Sequence, residues 1–336
     1  MTPTLHDVAR LAGVSIKTVS NVIHGHPNVR ASTRETVQRA IAELGYTPNL
    51  TARNLRSGRT GVIALAVPDL SFSYFAELAG MVIARAEERG VVVLVEQTGG
   101  ARDRERELLR SPRLGLTDGL ILSPLGLEPA DIADRPLPYP TVLLGERVFD
   151  APVDHLTMRN EDAARAATAH LLAAGCRRIA VLGARDGDTD GAAGLRLRGH
   201  RAALATAGVA SDPELVVASR FWDRSGGADA VRELLARGVR FDAVFGLNDT
   251  LALGAIRALQ EAGRRVPDDV AVMGFDNLDE ARYSIPSLTT IDPGRRWIAE
   301  TAVDTLLSRV ADAAGAPAGV VSADFVLQVR ESAPSR

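Results

Sequence analysis

The sequence predicts an all-α helix-turn-helix head joined to an α/β body of two doubly wound parallel-sheet lobes. Three observations predict it. The first 45 residues contain three short capped helical stretches, the first two joined by a glycine turn, Gly13-Val14-Ser15. From residue 61 onward, short apolar runs alternate with amphipathic helical stretches, the pattern of parallel strands covered on both faces. Finally, a chain of 336 residues exceeds one ordinary core, and the strand-helix units outnumber what one sheet comfortably holds.

In the head, Thr4 is placed to cap a helix starting at Leu5, with Asp7 three positions on. Leu5, Val8, Ala9, Leu11 and Ala12 then point toward a core. Ser15 caps a second helix running to about Ile23. Ser32-Thr-Arg-Glu35 reads as a capping box opening a third helix, with Val37, Ile41 and Leu44 on one face and Gly45 as its stop. Along the second helix Val19, Val22 and Ile23 face inward. Lys17, Ser20, Asn21 and His24 form an outward stripe at i, i+3, i+4 and i+7. None is acidic, and each can bond a base edge or a phosphate, as a helix in the DNA major groove requires. A merely solvated helix face is the other reading of the same stripe. Asn49 and Gly58 bracket a stretch of about two turns that is too short to be stable alone. In it Leu55 lies between Arg53 and Arg56, an apolar wedge flanked by cations that suits minor-groove insertion. A plain linker is the alternative.

The body has strand-like runs at Val62–Val67, Val91–Val95, Gly119–Leu122, Thr141–Leu144, Ile179–Leu182, Ala243–Phe245 and Val270–Gly274. Helical stretches between them include Tyr74–Arg89, Asp162–Ala174, Leu195–Ala207, Gly226–Ala236 and Thr250–Ala262. Ligands of open α/β sheets bind beyond the C-terminal ends of the strands. Those ends carry Asp69, Ser123, Glu146-Arg147, Phe221-Trp222, Asn248 and Asp276, while Tyr74, Phe75 and Arg196 open helices. Charged and amide groups beside flat rings suit a polyhydroxylated ligand. Asp and Asn at such positions also serve as ordinary helix caps.

Charge is unevenly shared. Residues 1–59 hold eight Lys/Arg against three Asp/Glu, and the remainder holds 31 against 39. A basic head on an acidic body is expected where one end meets a polyanion. Lys17 is the only lysine. The single cysteine, Cys176, excludes an intrachain disulfide and fits a reducing compartment. Neither a secretory signal nor a membrane-spanning apolar run is visible. The nucleophile elbow, the dinucleotide fingerprint, the phosphate loop and the zinc-binding His-Glu-x-x-His pattern are all missing, which points away from an enzyme and from a cofactor. Asp186-Gly-Asp188-Thr-Asp190-Gly191 starts like a calcium loop, but Leu197 occupies the position of the required bidentate Glu, so no metal is expected.

The run from Leu5 through Gly25, then Leu44-Gly-Tyr-Thr-Pro-Asn49 and Leu55-Arg-Ser-Gly-Arg-Thr60, closely resembles the head and hinge of the lactose-repressor/galactose-repressor (LacI/GalR) family. Val67-Pro-Asp-Leu-Ser, Asn248-Asp-Thr-Leu-Ala-Leu-Gly254, Val272-Met-Gly-Phe-Asp276 and Pro286-Ser-Leu-Thr-Thr-Ile291 extend the resemblance over nearly the whole chain. It implies a periplasmic-binding-protein-like body and a homodimer on near-palindromic double-stranded DNA. On the DNA side it implies roles for Ile16, Lys17, Thr18, Ser20 and Asn21, and for Leu55 in the hinge; Ser15, His24, Asn28, Asn49, Ala52, Arg53 and Arg56 are expected beside them from their place in the same two segments. The implied effector cleft is walled by Asp69, Tyr74, Phe75, Arg147, Arg196, Trp222, Asn248 and Asp276, to which the strand-end reading adds Ser123. The implied division is a head at 1–45, a hinge at 46–60, a first lobe at 61–159 plus 292–324, and a second at 160–291 plus 325–336. Departures include Ser71-Phe72-Ser73 after Pro-Asp, Glu146 where Asp is common, Arg159 before Asn160, and Asn21 for a frequent arginine. The first two bear on the effector and the last on the operator.

The expectation is therefore a cytoplasmic, nucleoid-associated regulator, a repressor of carbohydrate genes whose operator affinity responds to a small effector, a sugar first. A nucleoside or purine corepressor is the second reading. A solute-binding transport protein predicts a signal peptide and no basic head, and the sequence has the opposite. The tail lacks leucine heptads, which argues against a tetramerising helix.

Overall fold

The computed structural model describes residues 3–23, 26–46, 59–133, 137–149, 151–185, 187–219, 221–312 and 317–335. The chain forms two compact units, Met1–Thr60 and Gly61–Arg336.

In the first unit, α1 (Leu5–Ala12), α2 (Ile16–Ile23) and α3 (Ala31–Leu44) pack around Val8, Val19, Val22, Val37, Ala40 and Tyr46. The α1 capping box forms: the Thr4 side chain accepts from the Asp7 N–H, and Asp7 accepts from the Thr4 N–H at 3.0 Å. Gly13, at φ +64°, supplies the left-handed turn that closes α1, and the Ser15 hydroxyl accepts the Thr18 N–H at 3.1 Å to open α2. Two expectations fail. Leu11 is exposed, because the α1 face that meets α2 and α3 is already filled by Val8 and Ala9. Helix α3 starts at Ala31, after Arg30, with no side-chain cap bond. Ser32 therefore lies inside the first turn, where its carbonyl takes the Thr36 hydroxyl at 2.9 Å.

The second unit carries two six-stranded sheets. The first contains β1 (Val62–Val67), β2 (Val92–Gln97), β3 (Leu120–Leu122), β4 (Thr141–Leu144), β5 (Asp154–Met158) and β11 (Val320–Ala323), all parallel, in spatial order β11-β5-β4-β3-β1-β2. The second contains β6 (Ile179–Ala184), β7 (Val216–Ala218), β8 (Ala243–Gly246), β9 (Ala271–Phe275), β10 (Thr289–Asp292) and β12 (Val326–Gln328), in order β12-β10-β9-β8-β6-β7, with β12 alone antiparallel. Helices cover them: α4 (Ser73–Glu88), α5 (Arg102–Leu109), α6 (Pro129–Ala133), α7 (Asn160–Ala173), α8 (Ala192–Thr206), α9 (Arg224–Ala236), α10 (Asp249–Glu261), α11 (Asp279–Tyr283) and α12 (Arg295–Ala311).

The chain passes from the first sheet to the second after Met158. It returns after Asp292, and α12 packs Ile298, Ala299, Ala302, Val303 and Leu306 against Ile63, Leu65, Leu78 and Val82 of the first lobe. It crosses a third time between β11 and β12. All seven strands expected from apolar runs form, within two residues at either end. The five unforeseen ones, β5, β7, β10, β11 and β12, are short or carry polar residues: β5 reads Asp-His-Leu-Thr-Met, and β10 reads Thr-Thr-Ile-Asp. Their pairing comes from the sheet beside them, which local pattern does not report.

Two helix pairs of the second lobe approach through glycine. A Cβ on Gly199 of α8 would lie 2.1 Å from the Glu161 carbonyl oxygen, and one on Gly254 of α10 would lie 1.9 Å from that of Arg224. Both obstacles are backbone, so the helices themselves must move apart. Gly254→Ala is expected to destabilise the body by about 1–3 kcal/mol. A urea unfolding midpoint equal to that of the wild type would show that the helices tolerate the separation.

Candidate nucleic-acid interface and effector cleft

Helix α2 presents the head's candidate DNA face. Its Val19 and Val22 are buried, so the helix can turn only its other side outward. Lys17 is exposed; Thr18, Ser20 and Asn21 are half-buried. Ile16 leans against the head core, Ser15 is exposed and shares a 2.9 Å hydrogen bond with the Thr18 hydroxyl, and Asn28 is exposed in the turn before α3. His24 and the hinge positions Asn49, Ala52, Arg53, Leu55 and Arg56, with the helix expected there, lie outside the described residues. No acidic residue occupies α2.

In the body, the C-terminal ends of both sheets converge on a charged cluster centred on Arg196. This side chain enters from α8 and is 3% exposed. Its Nε donates to Asn160 Oδ1 at 2.7 Å, its Nη1 to the Leu247 carbonyl, and its Nη2 lies 3.7 Å from Asp276 Oδ1. The guanidinium carbon stands 3.5 Å from the Phe275 ring centroid and 5.6 Å from that of Trp222. Burial pulls the guanidinium pKa down, and Asp276 and Glu146 oppose that pull. Trp222 is fixed by its indole N–H, which donates to the Gly183 carbonyl at 2.9 Å.

From the first lobe, Tyr74 and Phe75 meet edge to face, with ring centroids 5.2 Å apart. Burial and the nearby Asp276 both push the Tyr74 hydroxyl pKa up. Glu146 is buried at the end of β4, where it accepts the Thr157 hydroxyl at 2.5 Å and the Met158 N–H at 3.0 Å; burial raises its pKa. Ser123 is buried at the end of β3.

Other expected cleft residues are placed differently. Arg147 is exposed in the turn after β4, where its neighbour Glu146 is buried. Phe221 is exposed as well. Asn248 caps α10: its Oδ1 accepts the Leu251 N–H at 2.8 Å, and its Nδ2 donates to the Trp222 carbonyl at 3.1 Å. Its amide thus holds the Trp222 loop. The Asp69 carboxylate is turned onto its own loop, taking the Ser71 N–H at 2.8 Å.

Sequence patterning missed four participants. Asp249 is fully buried between the Thr290 hydroxyl, at 2.5 Å, and the Leu278 N–H, at 2.7 Å; burial, reinforced by Asp276, raises its pKa well above the ordinary value. Asn160 is buried against Arg196. Glu77 of α4 accepts the Asp279 N–H at 3.1 Å and pairs with Arg295 of α12, which joins the two lobes. Only Arg295 had a local signal, its position just after Pro293-Gly294 at the head of a helix.

Among the described residues no group of acidic, His or Cys side chains is arranged to hold a metal, and no helix is long and apolar enough to cross a membrane.

A three-helix head with an acid-free outward helix, on a two-lobed α/β body with a charged cleft, defines a ligand-responsive DNA-binding regulator. Profile comparison matches residues 4–49 to the bacterial regulatory proteins of the lacI family and residues 168–333 to the periplasmic binding protein-like domain. A LacI-family transcriptional regulator structure from Sanguibacter keddieii is 55% identical, covering 82% of this chain and 99% of its own, with a TM-score of 0.76. A transcriptional regulator CelR–cellobiose complex is 34% identical over 98% and 99% of the two chains, with a TM-score of 0.68. A lac repressor dimer bound to operator and the anti-inducer ONPF is 29% identical over 99% and 100%, with a TM-score of 0.83. The chain belongs to the LacI family of transcriptional regulators.

The Asp276 carboxyl is pushed up to about 6, chiefly by burial, while Arg196 and Arg295 pull it down. The folded form therefore holds a proton that the unfolded chain has released. That stabilisation is complete below about pH 4 and lost as pH rises through about 6. Asp276→Asn stays neutral, so it is expected to gain in melting temperature over wild type as pH rises from 4 to 7. A difference that stays constant across this range would mean that Asp276 titrates normally.

Proposed function

We propose that this regulator is a homodimeric repressor of carbohydrate-metabolism genes, acting in the cytoplasm at the nucleoid, and that a sugar bound between its lobes sets its affinity for a near-palindromic operator. The observation that carries the sugar reading is the buried Arg196–Asp276 pair, flanked by Phe275 and Trp222 and coupled to Tyr74 of the other lobe. Guanidinium and carboxylate groups bond paired hydroxyls, and aromatic faces cover the C–H face of a pyranose. The CelR relative, solved with cellobiose, supports the same ligand class.

We assign the DNA contacts to Ser15, Ile16, Lys17, Thr18, Ser20, Asn21, His24 and Asn28, with the hinge 46–60 adding Asn49, Ala52, Arg53, Leu55 and Arg56. Lys17 is the head's exposed cation on α2 and the first to test. We assign the lobes to residues 61–159 plus 292–324 and 160–291 plus 325–336. The dimer reading is supported by β2, an edge strand among the described residues whose Val92, Leu94 and Val95 side chains are exposed, and by the dimeric lac repressor relative. The mechanism is a population shift: an effector touching both lobes favours one lobe arrangement, and linkage changes DNA affinity.

Lys17→Ala is expected to weaken operator binding by about tenfold at fixed salt, as loss of a charged contact does, while effector binding stays unchanged. Unaltered operator affinity in a fluorescence-anisotropy titration would remove α2 from the DNA interface. Arg196→Ala, with Arg196→Lys as the gentler variant, is expected to abolish the sugar-induced change in operator affinity while DNA binding persists. A normal response in folded Arg196→Ala would move the effector site elsewhere.

A further inference from the structure

We propose that Arg295 is a specificity-determining residue of the effector cleft, its Nε–H donating to a hydroxyl oxygen of the bound sugar. The inference rests on the reading of the cleft as an effector site. Arg295 begins α12, where the chain crosses back to the first lobe, and is 5% exposed. Its Nη1 donates to the Asp276 carbonyl at 2.8 Å; its Nη2 donates to the Asn277 carbonyl at 3.3 Å and to the Glu77 carboxylate. These bonds engage both terminal nitrogens. The Nε is sealed from solvent and has no hydrogen-bond partner among the described residues. The guanidinium carbon stands 5.7 Å from the Tyr74 ring centroid, so this unused donor lies beside a ring of the cleft wall.

A second donor in the same cluster is in the same condition. Asn160 is 2% exposed; its Oδ1 is engaged by Arg196, and its Nδ2, though near the Glu146 carboxylate, makes no hydrogen bond of good geometry. A buried N–H without an acceptor is unfavourable, and buried donors in folded proteins are nearly always satisfied. Two such donors, each one residue away from the Arg196–Asp276 pair by direct contact, point to oxygens that arrive with the ligand. The Asp276 carboxyl group beside Arg196 needs the opposite, a ligand donor. A hydroxyl serves both needs at once, accepting from Nε–H and giving its own proton to Asp276. Because Arg295 already holds Glu77 of one lobe and the 276–277 turn of the other, a sugar bonded to it engages a group that spans both lobes.

The test uses the full-length protein, calorimetric titration, and D-glucose, D-ribose and cellobiose as probes, followed by the monodeoxy forms of whichever binds. In wild type one deoxy form is expected to bind about ten- to a hundredfold more weakly than its parent, the effect of losing a hydrogen bond to a charged donor. In Arg295→Met that same deoxy form should bind no worse than the parent. Arg295→Lys, which keeps the charge facing Glu77 but has no Nε–H at that place, should behave likewise. Glu77→Gln, which loosens the ion pair and leaves the donor, should keep the discrimination. If both folded Arg295 variants still discriminate as wild type does, while Arg196→Ala no longer binds, the cleft stands and the Arg295 assignment falls. If Arg196→Ala binds normally, or if no probe binds wild type, the sugar-cleft reading falls and takes this inference with it.

Discussion

A guanidinium buried without a close carboxylate partner is costly, and the second lobe is organised to hold one. Arg196 sits 3.7 Å from Asp276, too far for a tight ion pair, and much of its hydrogen bonding goes to neutral oxygens at Asn160 and Leu247. Those contacts fix the start of α7 and the end of β8. Its stacking on Phe275 fixes the end of β9. One side chain from α8 thus sets the mutual position of three segments that reach the sheet's C-terminal edge. Trp222, held by Gly183 and by Asn248, closes the fourth side. Removing the cation would leave the Leu247 carbonyl oxygen and the Asn160 amide oxygen without their donor.

The electrostatics across the lobes follow from the same centre. Asp276, Asp249 and Glu146 are all harder to ionise than free carboxyl groups, in each case chiefly through burial. The cluster is buried and rich in groups that prefer to be neutral or to be hydrogen-bonded. A polyhydroxylated ligand, each of whose hydroxyls can both donate and accept, suits such a surface better than a simple ion does.

The fold was legible where local chemistry alone decides the outcome. Thr4 with Asp7, Gly13 and Gly45 mark helix ends by their own side chains or backbone freedom, and the apolar runs from Val62 to Phe275 carry their burial in their composition. The cleft was only partly legible. Arg196, Asp276, Tyr74 and Trp222 stood out as polar or aromatic residues at strand ends and helix starts. Glu77 and Arg295 did not, because they meet only when α4 and α12 come together from distant parts of the chain, and Asn160 reaches Arg196 only when α7 packs on α8. Arg147 lies exposed in the turn after β4, beside the buried Glu146. Ser32 shows the limit in the head, where a complete capping pattern is overridden by a helix that begins two residues earlier than that pattern places it.

The threading of the two lobes bears on how the chain is made. The strand that ends the first sheet, β11, and the helix that covers it, α12, follow all the parallel strands of the second sheet in sequence. During synthesis at about 5–20 residues per second, the first lobe has its central strands early but must wait through the whole second lobe for α12. Its core face around Leu65 and Val82 stays uncovered for that interval. The head has no such debt, since its three helices are contiguous. The nascent protein is therefore expected to hold a finished DNA-reading unit while its sensor is still incomplete, and both lobes mature almost together as the last segments emerge.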